Sequence, residues 1–493
     1  MPHRGLGGSG KTGQGVLSVA QNVSDEQIRR IVEEVVQRVV GGTPAANGAP
    51  RSGGEDGVFE TVDQAVEAAT RAQRELVALS LAERRRILQA LRETTRAHAE
   101  DFSRRTVEET GMGRLEDKIK KHYAAADLTP GLEDLEATSW TGDHGLTVVE
   151  MAPYGVIGAV TPSTHPVPTL VNNSVCIIAA GNSVVFNVHP GARKVSAHAT
   201  RILNRAIVAA GGPPNLITGV AEPSIESAQQ LFTHPGIRVL LVTGGPGVAR
   251  AAMASPKKAI VAGPGNPPVV VDETADLEKA ARDIIDGGAF DNNILCIGEK
   301  QVFVVERVAD ELKRLMVRYS AYELEPRQVE ELAGHAFVRG KDGHLAVNRE
   351  LVGRSACVLA ERVGVRVDES LRMLIGETDA SHVFVAEEQM MPFLPIIRVA
   401  SVDQAIRAAI ISEHGYRHTA IIHSRNIENM HNMARAVDTT IFVKNGPSYA
   451  GVGLGGEGFG SFSIAGPTGE GITSPRTFTR QRRCVLVDYF RIT

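Results

Sequence analysis

Apolar residues along this chain follow three successive patterns. The first is SDEQIRRIVEEVVQRVV, Ser24 to Val40, where Ile28, Ile31, Val32, Val35, Val36, Val39 and Val40 recur at the spacing of one helix face. Ser24 and Gln27 suit a capping box, with Val23 as the staple residue, and Asp25 and Glu26 suit the positive end of the helix dipole. The flanks are different. Residues 1–23 read as a disordered Gly/Ser-rich leader, and 41–57 (GGTPAANGAPRSGGEDG) as a flexible tether without core-forming residues. A short amphipathic helix on a tether either folds back onto its own body or docks into a groove on another protein. Its mixed-sign polar face argues against a membrane anchor.

From Phe59 the pattern becomes that of surface helices, in TVDQAVEAATRAQRELVAL and LAERRRILQALRETTRAHAEDFSRRTVEETG. Strand-like and helix-like segments then alternate. VVEMAPYGVIGAVTP is strand-like, PTLVNNSVCIIAAG is helical with Gly181 as its C-terminal cap, and NSVVFNVHP is a strand. ARKVSAHATRILNRAIVAAG, PNLITGV, IESAQQLFTH and IRVLLVTGG continue the alternation. This order predicts an α/β fold, with a parallel sheet covered by helices on both faces.

Composition narrows the class. At 493 residues, the chain is too long for one ordinary core and calls for at least two lobes. An apolar fraction of 43% with 22% charged residues fits a globular protein, and a net charge of −4 gives no broad pull toward nucleic acid or anionic membrane. The sequence predicts no membrane span and no signal peptide. Cys176, Cys296, Cys357 and Cys484 are scattered without ligand spacing, so no zinc site or disulfide frame is expected, and a reduced cytoplasmic setting follows.

Two stretches invite chemistry. GLGGSGKT, Gly5 to Thr12, fits the phosphate-loop pattern, but no strand precedes it and no helical stripe follows, so a nucleotide hydrolase is a weak reading. AFDNNILCIGEKQVFVV carries Cys296 between a helix (LEKAARDIIDGG) and a strand (QVFVV), at the kind of junction that often bears catalysis. The loop VTGGPGVARAAM joins a strand to a helix, and Gly244 and Gly245 would let the backbone approach an anion.

Read in order, VTGGPGVARAAM, AGPGNPPVVVDETADLEKAARDI, FDNNILCIGEK, SEHGYRHTAIIHS, NGPSYAGVGLGGEGF and PTGEGITSPRTFTRQRRCVL resemble the CoA-acylating branch of the aldehyde dehydrogenase superfamily. The resemblance covers roughly Val58 to Leu486 and is nearest to the propionaldehyde and acetaldehyde dehydrogenases of catabolic bacterial microcompartments. It implies an aldehyde-dehydrogenase-like fold: a Rossmann-type cofactor domain at 58–261, a catalytic domain at 262–442 and a C-terminal return segment at 443–493. It also implies oligomerisation strands near 138–150, a final strand RRCVLVDYF crossing to a neighbour, and a homodimer or homotetramer. In that subgroup a tethered helix like 24–40 is an encapsulation peptide for shell proteins, which implies the lumen of a microcompartment.

The implied chemistry starts at Cys296, whose thiolate attacks the aldehyde. The Cys296 N–H and a donor from TPSTHP, with Thr164 and His165 as candidates, would stabilise the oxyanion. His414 and His418 in EHGYRHT could handle protons near CoA. Hydrolytic relatives place a glutamate where Ala262 stands, and no carboxylate occurs between Lys258 and Val271. Its absence favours a CoA thiol over water as the acceptor, with a hydrolytic aldehyde dehydrogenase as the alternative. Thr161, Pro162, Ser163, Asn187, His189, Gly219, Gly244, Gly245 and Glu388 match positions that line the dinucleotide in the family. The segment NVHPGARK lacks a carboxylate and holds Arg193 and Lys194, so NADP stays open beside NAD. The usual STNP reads Ser163, Thr164, His165, Pro166 here, so His165 replaces the asparagine.

Overall fold

The computed structural model describes residues 56–339 and 345–493. The leader, the helix expected at 24–40 and most of the tether lie outside the described residues. The tether ends earlier than expected, because Asp56 pairs with Arg205 at 2.5 Å and the Gly57 carbonyl accepts from Gly219 N–H.

Helices Val62–Ala78, Leu81–Ala97, Ala99–Thr110 and Leu115–Asp127 form the expected helical stretch. The first two begin with capping boxes, at Thr61/Gln64 and Ser80/Glu83. A parallel sheet follows, in the order Val58–Phe59, Ile217–Val220, Ser183–Val188, Val156–Thr161, Ile237–Thr243, Lys258–Ala262. Its central strands are continuous apolar runs because both faces are covered. Helix Pro166–Ala179 is buried along its whole length, with Thr169, Asn172, Asn173 and Ser174 among its otherwise apolar residues. Pro166 at its first position removes a backbone N–H that would otherwise lack a partner.

A second parallel sheet runs Ala321–Glu323, Met373–Glu377, Phe393–Val399, Gln301–Val305, Pro268–Val271, Thr419–His423, Ile441–Lys444. Residues 263–267 connect the two sheets. The linker is fastened by Asn266 Nδ2, which donates to Val385 O at 2.9 Å and Ser412 O at 2.8 Å.

A third, antiparallel sheet orders Thr138–Gly142, Gly145–Pro153 and Thr479–Val487. The expected last strand begins earlier than RRCVLVDYF, ends at Val487, and pairs with its own chain's Gly145–Pro153. It exposes Val485, Leu486 and Val487, and Trp140 is exposed on the same sheet. Among the described residues no helix is long and apolar enough to cross a membrane.

Candidate active site

Cys296 stands between helix Leu277–Ala289 and strand Gln301–Val305. Just before it, Asp291, Asn292 and Asn293 have φ of 50°, 55° and 64°. Left-handed non-glycine residues cost about 1–3 kcal/mol each, and Asp and Asn tolerate the conformation best. A buried polar network holds them there. Asp291 Oδ1 accepts from the Arg114 backbone N–H at 2.7 Å, Oδ2 accepts from Lys118 Nζ at 3.0 Å, and Lys121 forms an ion pair with the same oxygen. Asn292 accepts from Arg114 Nε at 2.9 Å and donates to Gly353 O at 2.9 Å. Asn293 donates to Gly288 O at 2.7 Å and Glu299 O at 2.8 Å, and its carbonyl accepts from Lys300 Nζ at 2.7 Å.

The cysteine opens onto a cavity with mainly apolar walls: Ala124, Phe290, Leu295, Tyr449, Val452 and Phe462, with Ser461, His165 and Lys121 adding polar groups. No aspartate or glutamate is among the lining residues. The linker comes close behind the cysteine. A Cβ at Gly265 would stand 2.5 Å from the Cys296 carbonyl oxygen and 3.0 Å from the His418 ring, so only glycine fits there.

Charge around the sulfur is finely opposed. Burial, then the carboxylate of Glu388, pushes the Cys296 thiol up to about 12, against the pull of Lys300 and Lys121. Glu388 itself is raised to about 7 by burial, opposed by Lys300, whose Nζ lies 4.0 Å away. A carboxylate therefore acts on Cys296 although the linker carries none. It comes from the segment after helix Val383–Ala386 and does not line the cavity.

The predicted site residues divide by location. Thr164 and His165 are buried in the turn before helix Pro166–Ala179, with Thr164 Oγ1 3.0 Å from His165 Nδ1. Burial and the nearby lysines 121 and 118 hold His165 neutral, well below the usual histidine range. His418 is also buried, lowered to about 4 by burial, and its Nδ1 lies 2.9 Å from Thr419 Oγ1. Its Nε2 has no partner. His414 is exposed and tied to Ala386 O at 2.8 Å, apart from the cavity.

The dinucleotide candidates gather at the C-terminal edge of the first sheet. Strand order reverses between Val156–Thr161 and Ile237–Thr243, and such a switch point forms a crevice above the strand ends. Thr161 ends one of these strands, with a buried Oγ1 that lacks a partner, and Pro162 and Ser163 follow it. Gly244 and Gly245 end the other and lead into helix Pro246–Met253, with open space above Gly245. Asn187 ends the neighbouring strand and is bonded to Ser224 O and Ser227 Oγ. His189 is exposed, and its Nδ1 accepts the Gly191 N–H of its own turn. These residues fit a bound dinucleotide. Gly219 lies near the end of strand Ile217–Val220, paired with Phe186 of the neighbouring strand. Arg193, left open for a 2′-phosphate, pairs with Glu222 at 2.5 Å.

Reasoning from sequence missed Lys118, Lys121, Asp291, Glu299 and Lys300. In EDKIKKHYAAAD the charges read as a solvated helix face, yet Asp117, Lys118 and Lys121 are buried. Glu299 is buried as well, and both its oxygens are bonded to Ser448, from backbone N–H at 2.8 Å and Oγ at 2.7 Å.

Comparison with known proteins agrees with this geometry. The aldehyde dehydrogenase family profile matches residues 26–331. An acetaldehyde dehydrogenase (acetylating) from Salmonella typhimurium is 51% identical over 473 residues, covering 95% of this chain and 100% of the relative. The crystal structure of Rhodopseudomonas palustris propionaldehyde dehydrogenase, with bound CoA and an acylated cysteine, is similar with a TM-score of 0.85 and 48% identity, over 88% of this chain and 98% of that one. A propionaldehyde dehydrogenase from the Clostridium phytofermentans fucose utilisation bacterial microcompartment has a TM-score of 0.87 and 46% identity, over 89% of this chain and 100% of that one. The family match and this breadth of similarity lead to one conclusion: the chain belongs to the aldehyde dehydrogenase family.

Proposed function

We propose that this chain oxidises a short aldehyde to its acyl-CoA, with NAD⁺ as the oxidant and Cys296 as the carrier of the acyl group. The observation that carries the reading is the cavity at Cys296, whose wall contains no carboxylate to activate water. A water-activating base contributes typically about 10²–10⁴-fold, so a thioester held here outlives one facing a general base. The acetylating and propionaldehyde relatives support the same acceptor.

The sulfur adds to the aldehyde carbon, the C–S bond forms, and the carbonyl oxygen becomes an oxyanion. The Cys296 N–H and the Thr164–His165 turn, of which His165 lines the same cavity, are the proposed donors to that oxygen. In the tautomer that accepts the Thr164 hydroxyl at Nδ1, His165 carries its proton on Nε2 and can donate it. When bound, the nicotinamide supplies the hydride acceptor. Thr161, Ser163, Asn187, Gly244, Gly245 and Glu388 would hold the dinucleotide, and the thiol of CoA then displaces the acyl group from Cys296. His418, neutral and with a free Nε2, is the candidate to take the CoA proton. The Arg193–Glu222 pair is exposed and contributes about 0–1 kcal/mol, so it does not choose between NAD and NADP.

The test is the product balance. With CoA, steady NADH formation and acyl-CoA are expected. Without CoA, one NADH per site is expected in a burst, followed by acid release about 10²-fold slower or worse. Equal steady rates without CoA would favour the hydrolytic reading.

Helix 24–40 is the proposed contact with shell proteins, placing the enzyme in a microcompartment lumen, a setting supported by the relative from such a compartment. Deleting residues 1–55 is expected to leave kcat unchanged and abolish co-purification with shells; unchanged co-purification rejects the docking role. The exposed strands Thr138–Gly142 and Thr479–Val487, which present Trp140, Val485, Leu486 and Val487, are the proposed surface of a homodimer or homotetramer.

A further inference from the structure

Lys121 is an unusual residue for the wall of an aldehyde cavity. It comes from helix Leu115–Asp127, is 1% exposed, and shares the cavity with Cys296 and His165. Its ammonium is ion-paired with Asp291, and the buried Asp117 carboxylate also acts on it. Lys118 shares the Asp291 carboxylate and also reaches Thr164 O at 3.4 Å, and it does not line the cavity. Of these two buried ammonium groups, only Lys121 faces the space that Cys296 opens onto.

The other cation acting on Cys296 is differently placed. Lys300 is 0% exposed, is hydrogen-bonded to the Asn293 carbonyl, and stands 4.0 Å from Glu388. It acts on Cys296 as well but does not line the cavity. The remaining groups around the sulfur are Glu388, which opposes a negative charge, the neutral His418 beyond Gly265, and His165 and Tyr449 in the wall. Burial lowers Lys121 to about 8, against the pull of Asp291 and Asp117.

We propose that Lys121 supplies the positive charge that stabilises the Cys296 thiolate and the oxyanion built on that sulfur. The thiol proton passes to solvent water as the thiolate forms. The oxyanion half of this inference rests on the proposed function; the thiolate half does not.

Alkylation of the ligand-free enzyme by iodoacetamide tests the thiolate half, since the thiolate displaces iodide without NAD or CoA. Mass spectrometry of the Cys296 peptide separates it from Cys357 and Cys484. Between about pH 6 and 7.5, where Lys121 keeps its proton, Lys121→Met is expected to slow alkylation about tenfold, a displacement of the profile by about one unit that closes as the pH rises past about 8. Lys121→Arg is expected to stay within about threefold of the parent, and so is Lys118→Met, which leaves the cavity cation in place. If Lys121→Met does not fold, Lys121→Gln carries the same expectation. An unchanged profile in the charge-removing variant, or an equal displacement in Lys118→Met, overturns the proposal. Failure of CoA-dependent turnover with a normal alkylation profile would count against the function and leave this inference standing.

Discussion

Cys296→Ala is expected to lower kcat/KM for NADH formation by about 10⁴-fold or more, the scale of removing a covalent nucleophile. No other cysteine can stand in. Cys176 is buried in the first lobe's core, Cys357 lies beside Ser355 in helix Ala356–Arg362, and Cys484 is exposed on the third sheet. None lines the cavity. The loss belongs in the chemical step, because the dinucleotide crevice is built from the strand ends of the other lobe. NAD⁺ binding by fluorescence titration should therefore be close to that of the parent. Retained turnover would refute the assignment of the sulfur.

Asp291→Asn is expected to destabilise the protein by about 3–5 kcal/mol, because Lys118 and Lys121 would remain buried without their counter-charge. The substitution keeps size and shape, so the effect reports charge. It also weakens the hold on three left-handed residues just before the nucleophile, and kcat should fall in the fraction that still folds. Asp127→Asn is the control. Its ion pair with Arg96 is about two-fifths exposed on each side, and such pairs contribute about 0–1 kcal/mol. Thermal midpoints of the two variants against the parent decide the matter. A midpoint for Asp291→Asn equal to that of the control would mean that the buried network does not hold the turn.

Much of the fold was legible because its signals are local. Alternating apolar strands and amphipathic helices can be read from one stretch at a time, and the doubly wound sheet follows from that alternation. The helix break at Gly181 was similarly local. The pairing of the C-terminal strand was not local: its sequence names no partner, and pairing with Gly145–Pro153 joins residues more than 300 positions apart.

The nucleophile, its flanking turn and the lack of a carboxylate in the linker were present in the order of residues alone. So was the DNN run, whose residue types suit the left-handed turn that presents Cys296. The electrical surroundings of that sulfur were not. Glu388, Lys300, Lys121 and Asp291 come from distant parts of the chain, and whether a lysine is solvated or buried depends on what packs over it. Burial sets how strongly each charge acts, and burial exists only once the lobes have closed on one another.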